Sequence, residues 1–118
     1  MHEISVLKRA VDLAEKVAEE NNAHKLAYLT IAVGELTGYV PVFFHKYFPI
    51  VTEGSPLFDG CELKIVTATG EALCKECGAI YNVMREEGKC PTCGSRDKTI
   101  LGGTEFRLLE IGVSEPFA

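Results

Sequence analysis

The sequence has no tryptophan and only three histidines and two methionines among its 118 residues. It also has no excess of positive charge, because 17 acidic residues against 12 basic ones leave a net charge of −5. A nucleic-acid binder needs a basic face for phosphates, so that class is not expected. No apolar run approaches the ~20 residues that cross a bilayer. No basic stretch followed by an apolar one opens the chain, so a signal peptide is not expected either. The expected setting is the cytoplasm, with no membrane and no nucleic acid among the partners. Two further absences bear on catalysis. There is no phosphate-cradling glycine loop of the P-loop type, and no nucleophile stands beside a base, so the reading is a protein that is not an enzyme.

Hydrophobic residues are plentiful at 47%, enough for a core in one small domain or in a domain carrying a smaller module. The predicted class is α/β (α+β). Residues 3–22 read as an amphipathic helix: Ile4, Leu7, Val11, Ala14 and Ala18 recur at spacings of three and four. Asp12 and Lys16 form a helical pair in the favourable order, and Asn21-Asn22 supply a stop. Residues 26–34, LAYLTIAVG, read as a strand buried on both faces. Residues 40–54 carry Phe44, Tyr47, Phe48 and Val51 at helical spacing. Pro41 suits the first turn there, whereas Pro49 predicts a kink or an early end near Phe48. Residues 61–67 and 104–113 read as two more strands, with Cys61, Leu63 and Ile65 sharing one face and Phe106 and Leu108 as core.

Between those two strands lies a stretch with four cysteines and few large apolar side chains. It cannot bury a core of its own and reads as an inserted module held by something other than packing. The predicted division is residues 1–69 plus 100–118 as one domain and 70–99 as a zinc-ribbon module. Cys74-Lys75-Glu76-Cys77-Gly78 and Cys90-Pro91-Thr92-Cys93-Gly94 are separated by twelve residues. Each CxxC turn offers two thiolates to one tetrahedral ion, and two turns complete a closed site with no position for substrate. Four thiolates do not by themselves separate zinc from iron, and structural Zn2+ is the expectation. Tyr81 and Val83 suit a strand of a small hairpin beside the metal. Charges over residues 71–98 cancel, five basic against five acidic, so no stripe is left for phosphates. The fifth cysteine, Cys61, reads as a buried strand thiol.

The chain begins Met1-His2-Glu3. An α-amine, the next amide nitrogen and the His2 ring nitrogen form fused chelate rings, with the Glu3 carboxylate or amide as a further donor. Nitrogen-rich tetragonal sites suit Ni(II) or Cu(II). The alternative is an ordinary chain start, and one dipeptide does not decide between them.

MHEIS at the start, VGELTG after the first strand, the CKECG and CPTCG pair, and the final GTEFRLLEI together resemble the HypA/HybF family of hydrogenase nickel-incorporation proteins. The resemblance runs over essentially the whole chain. It implies a metallochaperone in which Ni2+ is transported cargo, bound at Met1 and His2 with Glu3 close by, and structural zinc is held by Cys74, Cys77, Cys90 and Cys93. It implies a small nickel-binding domain of two helices and a three-stranded sheet, with the zinc module inserted before the last strand. The implied partners are the GTPase of the hydrogenase maturation pathway and the [NiFe]-hydrogenase large subunit, with urease served in some organisms and a homodimer open. Gly34, Glu35 and Leu36 match the family motif and are assigned to the turn after the first strand, with partner binding as the functional reading of Glu35. His24 and His45 are read as surface residues. The competing function is a zinc-ribbon adaptor or regulator with no nickel role.

Overall fold

The computed structural model describes residues 2–114, apart from the His2 side chain. Two sheets account for the architecture. The larger has the order β2-β1-β6 and the smaller the order β4-β3-β5, where β1 is Leu26–Gly34, β2 Glu62–Ala68, β3 Glu71–Cys74, β4 Ile80–Asn82, β5 Lys98–Gly102 and β6 Phe106–Val113. Among the described residues two helices, α1 (His2–Glu20) and α2 (Pro41–Val51), complete the fold, with short 3-10 turns at Glu35–Thr37 and Pro56–Phe58.

In the larger sheet β1 lies between a parallel neighbour, β2, and an antiparallel one, β6. A parallel pair needs a long crossover, which α2 supplies. The pleat turns Leu29, Ile31 and Val33 toward the helices, opposite Leu63 and Ile65 on β2 and Ile111, Leu108 and Phe106 on β6. The core joins these strands to Leu7, Val11, Ala14 and Ala18 of α1 and to Phe44 and Phe48 of α2. On the other face Thr30 and Ala32 are buried without joining that core, and the Lys64 ammonium lies 4.1 Å over the Tyr28 ring. Phe106 packs 5.3 Å from Phe44 and 5.9 Å from Tyr39 between ring centroids, so the last strand is tied to α2 through aromatic contacts. Phe106 and Leu108 are nevertheless only half-buried, because β6 is an edge strand.

Two local expectations are corrected. Pro49 does not end α2, which continues to Val51. The proline stands in the last turn on an exposed face, where its missing N–H costs one hydrogen bond. The turn is closed beyond it by Thr52, whose N–H and Oγ1 both donate to the Phe48 carbonyl, at 3.1 and 2.8 Å. Asp12 pairs not with Lys16 but with Lys8, one turn earlier. Cα–Cβ bonds in a helix tilt toward its N-terminus, so a short aspartate side chain reaches back more readily than forward.

The smaller sheet is antiparallel throughout. Its buried cluster is Ala72, Cys74, Tyr81 and Cys90, with Ala79 and Val83 packed against it. Tyr81 lies in β4, while Val83 follows the strand and donates its N–H to the Gly70 carbonyl at 2.8 Å.

Among the described residues no helix is long and apolar enough to cross a membrane.

Candidate metal centre

The two cysteine turns are built alike. One joins β3 to β4 and the other precedes β5. In the first, the Gly78 N–H donates to the Cys74 carbonyl at 3.0 Å and the Cys74 N–H to Ala79 at 2.8 Å. In the second, Gly94 donates to Cys90 at 2.8 Å and Cys90 to Ser95 at 2.9 Å. Both turns need a residue at positive φ, 78° at Gly78 and 80° at Gly94, which glycine adopts without strain.

These turns face each other. The sulfurs of Cys74 and Cys93 are 3.5 Å apart and those of Cys77 and Cys90 are 3.6 Å apart. All four sulfurs lie within 4.8 Å of one another. A zinc tetrahedron with bonds of about 2.3 Å spaces its sulfurs about 3.8 Å apart, so the donor set fits a four-thiolate ion. The separations are far beyond the roughly 2.05 Å of a disulfide, and all five cysteines of the chain are free. Cys74 and Cys90 are buried; Cys77 and Cys93 are exposed.

Electrostatics divides the thiols in the same way. The backbone N–H groups around Cys77 hold the Cys74 thiol below its ordinary value, and those around Cys93 bring Cys90 down to about 6. Cys93 receives a backbone hydrogen bond from Ser95, which lowers it, yet the neighbouring thiols, Cys74 first, push it up to about 12. Four sulfurs this close repel as thiolates, and a dication relieves that repulsion while taking the place of their protons.

Among the described residues, the four cysteines are the only convergent group of three or more His, Cys, Asp or Glu side chains. His24 is exposed after α1 and His45 is exposed on α2; neither reaches the cysteines. Met1 and the His2 side chain lie outside the described residues, while Glu3 is half-buried in the first turn of α1. Cys61 is half-buried against the large core rather than fully enclosed, and desolvation pushes its thiol up to about 11.

Sequence reasoning missed how the cysteine sheet is joined to the rest. Glu35 Oε1 accepts hydrogen bonds from the Gly70 N–H at 2.7 Å and from Asn82 Nδ2 at 3.4 Å. The carboxylate assigned to a partner thus serves the chain's own junction. Beside it the Leu36 N–H donates to the Gly103 carbonyl at 2.7 Å. A Cβ on Gly34 would lie 2.1 Å from the Gly103 oxygen, and one on Gly103, at φ 100°, would lie 2.5 Å from the Gly70 Cα. The signal available in the sequence was the isolated Gly70 and the Gly102-Gly103 pair flanking the module, which mark a close approach of backbones.

Comparison with known proteins agrees with this architecture. Residues 1–113 match a family model described as hydrogenase/urease nickel incorporation, metallochaperone, hypA. The hydrogenase maturation factor HypA of Dechloromonas aromatica (strain RCB) is 32% identical over 113 residues, covering 96% of this chain and 99% of its own length. That of Caldanaerobacter subterraneus subsp. tengcongensis is 33% identical over 114 residues, covering 96% and 99%. The solution structure of the nickel metallochaperone HypA from Helicobacter pylori superposes with a TM-score of 0.66 at 29% identity, covering 94% of this chain and 96% of that one. A second solution structure, of HypA protein, gives a TM-score of 0.69 at 30% identity, covering 97% of each chain. Matched over almost its whole length and carrying a four-cysteine metal site in a mixed α/β fold, the chain belongs to the HypA family of hydrogenase-maturation nickel metallochaperones.

Proposed function

We propose that the chain carries Ni(II) at Met1 and His2, with Glu3 beside them, and hands it on during maturation of [NiFe]-hydrogenase. The observation that carries the reading is the closure of the cysteine site. Four converging sulfurs leave no open position, so they suit a resident ion, and cargo needs a second site with replaceable donors. In this reading Cys74, Cys77, Cys90 and Cys93 hold structural zinc, which folds residues 70–99 and does no chemistry. Residues 1–69 with 100–118 form the nickel-binding domain.

The start of α1 suits a carrier. The first four N–H groups of any helix lack intrahelical acceptors, so the His2 and Glu3 amides stand outside the helix's own hydrogen bonds. An amide that gives up its proton to bind a metal there costs the helix nothing. The positive end of the α1 dipole opposes a dication, which moderates affinity and favours release. The chain does not act as a catalyst. It works in the cytoplasm with the GTPase of the pathway and the hydrogenase large subunit, and urease is a second acceptor in organisms that make it. Selectivity for nickel over copper comes from availability and docking, since nitrogen donors bind Cu(II) more tightly.

The test is a nickel titration of untagged protein, wild type beside His2→Ala, by calorimetry and electronic absorption, with zinc quantified separately. The expected result is about one nickel per chain for wild type and loss of that site in the variant with zinc retained. Equal binding by both, or none by either, overturns the terminal site and leaves a zinc-ribbon adaptor.

A further inference from the structure

The four converging cysteines are thiols as well as ligands, and their arrangement suits a second chemistry. Each turn keeps one sulfur inside and one outside. Cys74 and Cys90 are only 2% exposed, whereas Cys77 and Cys93 are open to solvent. The inside sulfur of one turn touches the outside sulfur of the other, Cys74 with Cys93 at 3.5 Å and Cys90 with Cys77 at 3.6 Å. Closing either contact to a disulfide of roughly 2.05 Å takes about 1.5 Å of sulfur movement.

Backbone hydrogen bonds hold the two turns opposite each other without help from an ion. The Lys75 N–H, inside the first turn, donates to the Asp97 carbonyl at 3.0 Å, just past the second. Cys74 itself ends β3 and pairs with Lys98 at the start of β5. A bond from one turn to the other therefore joins what a shared ion joins. A bond inside one turn, such as Cys74 to Cys77, would leave the two turns separate. Cys61 stands outside this group, half-buried against the core of the larger sheet.

We propose that peroxide converts the four cysteines to two disulfides across the turns, Cys74–Cys93 and Cys77–Cys90, and that the metal leaves as they form. The proposal rests on the reading above that zinc sits among these sulfurs. The exposed Cys77 or Cys93 thiolate attacks one peroxide oxygen, the O–O bond breaks, and a sulfenic acid and hydroxide result. The buried partner thiolate then attacks the sulfenic sulfur, the S–S bond forms, and the S–O bond breaks to give a second hydroxide. Two thiolates lose two electrons to one peroxide, and two protons from solvent turn the hydroxides into water. Two peroxides consume all four thiolates. A disulfide sulfur carries no negative charge for the dication, because the ligand is the thiolate. The small sheet then keeps its turns tied by covalent bonds in place of the ion.

The test treats the zinc-loaded full chain with a few equivalents of hydrogen peroxide. A colorimetric chelator follows zinc, thiol titration follows the cysteines, and mass spectrometry with fragmentation maps the links in unreduced peptides. The expected result is release of about one zinc per chain and loss of four of the five thiols, with Cys61 still reduced. Fragmentation should show Cys74 linked to Cys93 and Cys77 to Cys90. Amide signals of β3, β4 and β5 should persist in the oxidised, zinc-free chain, and dithiothreitol with zinc should restore the starting state. In Cys74→Ser with Cys93→Ser the remaining pair should still form the Cys77–Cys90 link, which checks one bond without the other. Links within a turn, links between chains, sulfinic acids in place of disulfides, or four intact thiols with zinc retained overturn the proposal. A chain found without zinc before peroxide is added removes the zinc reading instead, and the link map of that same sample still decides the pairing.

Discussion

The two sheets of this chain are of similar strand number but are held by different means. Leu26, Leu29 and Ile31 of β1 pack with Leu7, Val11 and Phe44 from the helices, none with measurable exposure. Behind β3 lie Ala72, Tyr81 and two of the cysteines, while Ile80, Ile100 and Leu101 face outward. Each fully buried Leu or Phe side chain contributes about 1.5–3 kcal/mol by area removed from water, so the larger sheet draws its stability from packing. The smaller sheet has too few such residues and instead brings four sulfurs together where a metal could be held. A change in metal supply therefore reaches one sheet directly and the other only through the junction at Glu35.

The largest effect that would test this difference is removal of the metal. Cys90→Ser, or a chelator, should collapse the amide signals of β3, β4 and β5 while those of α1 and β1 persist. Structural zinc contributes about 10–16 kcal/mol in zinc-finger peptides, more than so small a cluster can replace. Acid should act in the same direction, because each ligand must lose its proton to bind. Survival of the small sheet without metal would break the comparison. Next in size is Phe44→Ala, expected to cost about 3–5 kcal/mol in urea denaturation of the helix-backed sheet with zinc content unchanged. Loss of zinc in that variant would mean the two parts are one cooperative unit.

Smaller effects sharpen the junction. At Gly34→Ala the new methyl would meet backbone rather than a movable side chain. A loss of about 1–3 kcal/mol is expected, with displaced amide shifts at Gly103 and Thr104. Glu35→Ala leaves the N–H of buried Gly70 without its acceptor, a loss of about 1–3 kcal/mol, read most directly as faster hydrogen exchange at Gly70. Glu35→Gln keeps a carbonyl oxygen in place and should recover part of it. The smallest effect is Lys8→Ala, within about 0.5 kcal/mol by thermal unfolding, because the Lys8–Asp12 pair is exposed on both sides.

The features legible in the sequence are those set by neighbours along the chain. Leu7, Val11, Ala14 and Ala18 announce α1 because the period of a helix is local, and the two CxxC turns announce their own geometry. Leu63 and Ile65 face the core of β2 because a pleat alternates. Where the outcome depended on distant residues, local reasoning fell short. Pro49 reads as a stop until Thr52 is seen closing the turn on Phe48. Asp12 has lysines four residues away on either side, and only side-chain direction selects Lys8. Glu35 reads as a turn residue open to a partner because nothing near it in sequence shows Gly70 thirty-five residues on. The packing of α1 against β6 exists only once the last strand has returned beside the first helix.

The closeness of Gly70 and Gly103 also bears on the order in which the protein is made. β1 leaves the ribosome early, but its antiparallel neighbour β6 follows only after residues 69–105. Without metal, that pairing must close a long loose loop, at an entropic cost that grows with the logarithm of its length. With the sulfurs tied to an ion, the ends of the loop already stand side by side, and β6 is delivered to the edge of β1. An ion held there would serve as a splint for a nascent chain, and refolding of the large sheet should be faster from the zinc-loaded state than from the stripped one.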